Sequence, residues 1–223
     1  MKNLLSNLKI AVPEAIYVKD PESSELGKRI IEHSIILIDQ IGFDNFTFKK
    51  LGNVIGSNES SIYRYFESKH KLLLYLSSWY WAWIEYQLVL ETHSLNPTDK
   101  LDKAIEIVTK SVSEDSNYSH INEVVLNKII VSENSKSFLT KEVDQENKDG
   151  YFVVYKRIVH RLREMISAIA PDYSFPSSLA STIMEGSLHQ HFLKDHFISI
   201  TDCNDAISPT DFMKNLVLNT LKS

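Results

Sequence analysis

Residues 47–66 read TFKKLGNVIGSNESSIYRYF, and this stretch decides the reading of the chain. Thr47 is an N-cap type that opens a helix over about 48–55. Gly56-Ser57-Asn58 makes a turn, and Asn58 caps a second short helix over about 59–65. Two short helices around a three-residue turn containing glycine have the spacing of a helix-turn-helix. Helices this short are marginal alone, so they must be held by packing. Leu51 and Ile55 on the first, with Ile62 and Phe66 on the second, supply apolar faces for Ile35, Ile38, Phe43 and Phe46. The opposite face of the second helix carries Glu59, Ser60, Ser61, Tyr63 and Arg64. That polar and aromatic set suits the floor and phosphate walls of a DNA groove.

The pattern continues in both directions. Upstream, Ile31, Ile35 and Ile38 recur at i, i+4 and i+7, with Ile30, Leu37 and Ile41 widening the stripe until Gly42 stops the helix. Asp20-Pro21-Glu22 predicts its start. Residues 1–20 form an arm in which 8–12 and 16–19 alternate weakly around Pro13, giving a small hairpin or an extended strap. Downstream, Ser68 caps a long fourth helix from Lys69 to about Leu90. Asn96-Pro97-Thr98-Asp99 opens another to about Ser116, and helical patterns cover 119–131, 147–170, 177–197 and 209–222. Pro171, Pro176 and Pro209 mark breaks between the last three. With six Gly, six Pro and little strict alternation, the fold class is all-α.

Composition narrows the function. At 223 residues, 43% apolar and 24% charged, the chain is an ordinary globular protein. The single cysteine, Cys203, offers neither an intramolecular disulfide nor a zinc signature, which fits a reducing cytoplasm. The segment MKNLLSNLKIAVPEA is too short in apolar residues for a signal peptide, and no run reaches membrane-spanning length. A net charge of −5 argues against non-specific wrapping of nucleic acid, so any DNA contact is local. Between Asp44 and Lys71 the balance is +2, from Lys49, Lys50, Arg64, Lys69 and Lys71 against Asp44, Glu59 and Glu67. Binding there should depend strongly on salt.

Across about residues 27–76 the chain resembles the TetR family of bacterial regulators: IIEHSIILIDQIGFDNFTFKKLGNVIGSNESSIYRYFESKHKLLLYL follows its pattern of an apolar helix, a Gly-aromatic turn, a Thr-capped helix, a Gly turn and a Tyr-x-Tyr/His-Phe-x-x-Lys ending. The resemblance implies a three-helix DNA-binding head, over 21–67 here, following the 1–20 arm. A long fourth helix would join it to a helical effector-binding and dimerisation body over 68–223. It implies phosphate contacts from Thr47, Lys49, Tyr63, Tyr65 and Lys69, with Arg64 on a phosphate or base edge. Base reading falls to Glu59, Ser60 and Ser61, where relatives often carry Lys followed by Gly. Beyond residue 90 the likeness is architectural only.

Other features read as structure. Trp79, Trp83 and Tyr86 share a face of the fourth helix and form either core or the wall of an effector pocket for an apolar or aromatic molecule. His189 and His196 stand about 10 Å apart along a helix, too far for one metal ion, and His191 points elsewhere. No phosphate loop or nucleophile elbow is present, so neither a cofactor nor an enzyme is expected. One head reads few base pairs, so two are needed on double-stranded operator DNA. Leu179, Ile183, Leu188, Phe192 and Phe197, with Phe212, Leu216, Val217 and Leu221, would supply a homodimer face. The implied function is a repressor released by a small-molecule ligand, with activation left open. The competing reading is a helical architectural protein that binds DNA weakly and without an effector.

Overall fold

The computed structural model describes residues 10–112, 118 and 120–222. The start of the arm and residues 113–116 of the helix expected to run to about Ser116 lie outside the described residues; that helix ends at Thr109, where Lys110 turns extended. Ten α-helices and no strand occur among the described residues. They are α1 (Glu25–Ile41), α2 (Phe48–Ile55), α3 (Glu59–Tyr63), α4 (Lys69–Thr92), α5 (Pro97–Thr109), α6 (Glu123–Phe138), α7 (Val143–Lys148), α8 (Val153–Ile169), α9 (Pro176–His196) and α10 (Pro209–Lys222).

Several boundaries shift for identifiable reasons. Asp20 caps as expected, but Pro21–Ser23 is a single 3-10 turn; Ser24 then accepts from Gly27 N and starts α1. The arm forms a strap with a 3-10 turn at Glu14–Ile16, not a hairpin. The helix expected over 119–131 begins later, where Asn122 caps it, and runs on to Phe138. The helix expected over 147–170 is two, because Gly150 adopts φ +85° between α7 and α8, a conformation open chiefly to glycine.

The chain forms two compact units: the described residues of Met1–Ala82 with Val112–Val153, and those of Trp83–Ser111 with Val154–Ser223. Helix α4 runs through both.

In the first unit, Ile30, Ile31, Ile35, Ile38, Phe46, Leu51, Ile55, Ile62 and Phe66 are all at most 2% exposed. These belong to the apolar set read from the sequence, joined by Leu72, Leu73 and Leu76 of α4; of the rest of that set Leu37 and Phe43 are buried and Ile41 is only partly so. From Leu72 to Ala82 every residue of α4 is buried, as expected of a helix apolar on all sides. Helix α6 belongs to this unit too. Glu133 Oε1 accepts from Phe43 N at 3.4 Å, and Lys136 pairs with Asp44 at 2.8 Å and Glu133 at 2.9 Å. The hydrogen bond and charge of Lys136 hold the exposed Asp44 carboxyl below its ordinary pKa.

The arm is fastened to the head. Ile16 is 1% exposed, Val18 N donates to Tyr65 O at 2.8 Å, and Tyr17 meets Tyr75 edge-on at 6.0 Å. A Cβ on Gly27 would stand 2.1 Å from the carbonyl oxygen of Pro21, so only glycine lets the strap lie this close to α1. Gly27→Val should lift the strap, lower head stability by about 1–3 kcal/mol and expose residues 17–24 to limited proteolysis. Unchanged cleavage would show that the strap is not clamped there.

In the second unit, Ile105 and Ile107 of α5, Ile158, Leu162 and Ile166 of α8, and Ile183, Met184 and Met213 of α9 and α10 form the core. A Cβ on Gly186 would meet Met213 Cε at 2.8 Å, the far end of a flexible side chain that can turn aside, so this contact does not by itself require glycine. Of the apolar set assigned to dimerisation, Leu179, Ile183, Leu188 and Val217 are buried within their own chain. Phe197 and Phe212 remain exposed, together with Leu218.

Candidate nucleic-acid interface

Both helices of the helix-turn-helix are fixed at their ends by the residues the sequence marked. Thr47 Oγ1 accepts from Lys50 N at 3.2 Å, and Asn58 Oδ1 accepts from Ser61 N at 2.8 Å and Ser61 Oγ at 2.7 Å. Gly56 closes α2 at φ +63°, its amide donating to Gly52 O. The turn lies so close that a Cβ on Gly52 would stand 2.6 Å from Ser57 O. Arg29 donates to Ile55 O, capping the same helix end. The crossing of α2 and α3 is thereby set by backbone contact as well as by Leu51, Ile55 and Ile62.

With Ile62 turned inward, α3 presents Ser60, Tyr63 and the adjoining Arg64 to solvent, with Glu59 and Ser61 partly exposed. Tyr63 is 48% exposed. Its ring packs edge-on against Phe48 at 5.0 Å and its hydroxyl donates to Glu59 Oε1 at 3.4 Å. Thr47 and Lys49 are exposed at the start of α2. These groups form one polar surface around the recognition helix.

Two of the named residues face elsewhere. Tyr65 is 4% exposed, and its hydroxyl lies 2.8 Å from Ser24 Oγ and 3.4 Å from Lys19 Nζ. The Ser24 hydrogen bond, opposed by burial and helped by Lys19, brings its pKa below the ordinary value. Lys69 Nζ donates to the carbonyls of Phe43 and Asp44 at 3.0 Å and of Phe46 at 3.3 Å, and lies over the Phe43 ring at 4.8 Å. Both residues hold the head together. The sequence missed this because residue type and spacing do not reveal which way a side chain turns. Exposed Lys50, counted there only for its charge, reaches Asn45 O with Nζ at 2.8 Å, and exposed Asn53 on the outer face of α2 went unread.

The aromatic stripe of α4 is largely interior. Trp79 is 2% exposed and meets Tyr118 edge-on at 5.1 Å, Trp83 is 4% exposed, and Tyr86 is half-buried. None of the three lines the cavity described below.

A buried three-helix core that holds a capped recognition helix with its polar face outward defines a helix-turn-helix DNA-binding protein with a helical body. Residues 30–76 match the family described as bacterial regulatory proteins, tetR family; the chain carries that family's amino-terminal domain and is a DNA-binding transcriptional regulator. No curated protein sequence matches it. Among solved structures it is similar to AibR in complex with isovaleryl coenzyme A and operator DNA, with 16% identity over 87% of this chain and 98% of that one and a TM-score of 0.55. A nominal transcriptional regulator from Saccharomonospora viridis in complex with choline is 15% identical over 87% and 94%, with a TM-score of 0.55. Superantigen PfiT is 18% identical over 92% and 100%, with a TM-score of 0.59. At these identities the likeness is one of fold, and folds host unrelated functions.

Proposed function

We propose that the chain acts as a homodimer, binds a palindromic operator through α3 of each copy, and is released from it by a small molecule held in the helical body. The observation that carries this reading is the outward face of α3, with Ser60, Tyr63 and Arg64 exposed beside a fully buried Ile62. In the proposed contact, Thr47, Lys49, Tyr63 and Arg64 position the backbone while Glu59, Ser60 and Ser61 meet base edges. Tyr65 and Lys69 act from behind, by fixing the strap and the turn before α2. Exposed Phe197, Phe212 and Leu218 are the part of the dimer face left free by each chain's own packing.

The ligand half of the reading draws support from the family domain and from two similar folds crystallised with small molecules. Of the α4 stripe, Tyr86 is the member with surface to offer, and Trp79 and Trp83 stand behind it as core. The activity is regulatory and not catalytic, and its place is the cytoplasm, where operator DNA lies. No helix among the described residues is long and apolar enough to cross a membrane.

A mobility-shift assay on DNA upstream of the chain's own gene, with a salt series and competitor, tests the proposal. One tight site whose affinity falls steeply with salt is expected. Uniform weak binding to all sequences would favour an architectural protein instead. Glu59 gives a sharper check, because a carboxylate can accept from cytosine N4 but cannot pair with guanine's acceptors as lysine does. Glu59→Lys should therefore shift preference toward guanine at one position per half-site, and an unchanged preferred sequence would remove Glu59 from base reading.

A further inference from the structure

The second compact unit holds a cavity of about 370 Å³ that DNA binding does not use. Part of its lining is apolar, from Leu88 and Val89 at the end of α4, Leu95 in the turn that follows, and Met165 of α8. Val89 is 44% exposed and Leu95 36%, so apolar side chains face solvent around it. Such surface is a mark of a binding site when polar groups converge beside it.

The converging groups are cationic. Glu85, only 7% exposed, accepts from Arg157 Nε at 3.0 Å and Nη2 at 2.6 Å, and from Arg161 Nε at 3.0 Å. Burial opposes its ionisation, but the hydrogen bonds from Arg157 and Arg161 outweigh that and leave its pKa below the ordinary value. Two guanidiniums thus share one carboxylate, and one positive charge is left over. Arg157 grips Glu85 with two nitrogens. Arg161, which lines the cavity, commits only Nε; among the described residues its Nη atoms make no hydrogen bond.

Lys100 of α5 lines the same cavity, and its ammonium makes no ion pair among the described residues. The acid in the lining, exposed Glu164, lies 3.0 Å from His160 Nε2 through one oxygen, an ion pair only when the imidazole is protonated, so its carboxylate sets one negative charge against Lys100 and Arg161. Thr92 donates its hydroxyl to Leu88 O at 2.7 Å, and His93 Nδ1 lies 3.0 Å from Leu90 O. A guanidinium edge and an ammonium therefore stand beside an apolar wall, against the single carboxylate of Glu164. A carboxylate matches the first two, and a hydrocarbon chain matches the wall.

We propose that this cavity binds a small amphipathic carboxylate, with its head on Arg161 and Lys100 and its hydrocarbon over Val89, Leu95 and Met165. The volume falls within the roughly 300–1,000 Å³ of small-molecule sites. The site's effect on DNA rests on the function proposed above; ligand binding itself does not.

Isothermal titration of the full chain with sodium octanoate tests the site. Saturable binding at one site per chain is expected. Lys100→Met and Arg161→Met should each weaken it by about tenfold, and octyltrimethylammonium should not bind. Arg161→Met leaves Glu85 in the grip of Arg157, and Lys100→Met breaks no ion pair, so both variants should fold, as thermal melts would verify. No binding of octanoate, equal binding by both variants, or equal binding of the cationic chain would overturn the proposal. A mobility shift without octanoate reads the DNA function separately. An intact operator complex from a chain that ignores octanoate sinks the cavity site alone, whereas octanoate binding by a chain that selects no operator upholds the site and sinks the regulatory reading.

Discussion

Ser60→Asp is expected to abolish operator binding, with a loss of about a hundredfold or more near physiological salt, while leaving the fold intact. Ser60 is exposed at the second position of α3, on the face proposed to meet the groove. A carboxylate there would stand among phosphates and acceptor-rich base edges, opposing the electrostatic attraction that dominates such binding. The same carboxylate at a helix N-terminus is favourable by about 0.3–1 kcal/mol, so stability should hold or rise slightly. Affinity by fluorescence anisotropy and stability by urea denaturation would therefore move in opposite directions. Retained affinity would place the DNA on another surface.

Phe66→Ala is expected to cost about 3–5 kcal/mol and to remove DNA binding through loss of the head. Phe66 is fully buried and its ring meets Tyr75 of α4 edge-on at 5.4 Å. It closes the core beneath α3, where Ile62 and Leu51 are also fully buried, so truncation opens a cavity that short helices cannot collapse to fill. Tyr65→Phe, one residue away, removes a hydroxyl shared with Ser24 and Lys19 and should cost only about 1 kcal/mol. Denaturant midpoints for the pair measure the contrast, and similar midpoints would contradict the core assigned here.

The contrast between these neighbours also shows what the sequence could and could not say. Phe66 was legible as core because it continues the spacing of Leu51, Ile55 and Ile62. Thr47, Asn58 and Gly56 were legible because a cap or a left-handed turn tolerates few residue types. Tyr65 was not, since a tyrosine serves equally as a phosphate donor or as an internal clamp; Ser24 and Lys19 decide it from more than forty positions away. Lys69 was hidden for the same reason, its ammonium being spent on three carbonyls of the turn before α2.

The body was less legible. Helical periodicity found most of its helices but not α7 or the second half of α6, and Asp149-Gly150 went unread as a break. The packing of α6 on the head through Glu133 and Lys136 depends on pairings between distant segments. The aromatic residues of α4 drew the eye as a pocket, and burial makes Trp79 and Trp83 chiefly core. The cavity draws on residues from the end of α4, the start of α5 and α8, and its cations, Lys100 and Arg161, stand too far apart in sequence to form a motif.

Selection of bound sites from random duplex DNA by the native chain tests the central claim most directly. Enrichment of one pseudo-palindrome, with half-sites about 34–36 Å or a multiple of that apart and two chains per duplex, is the predicted result. Failure to enrich any sequence, with binding that depends only on salt, would contradict it.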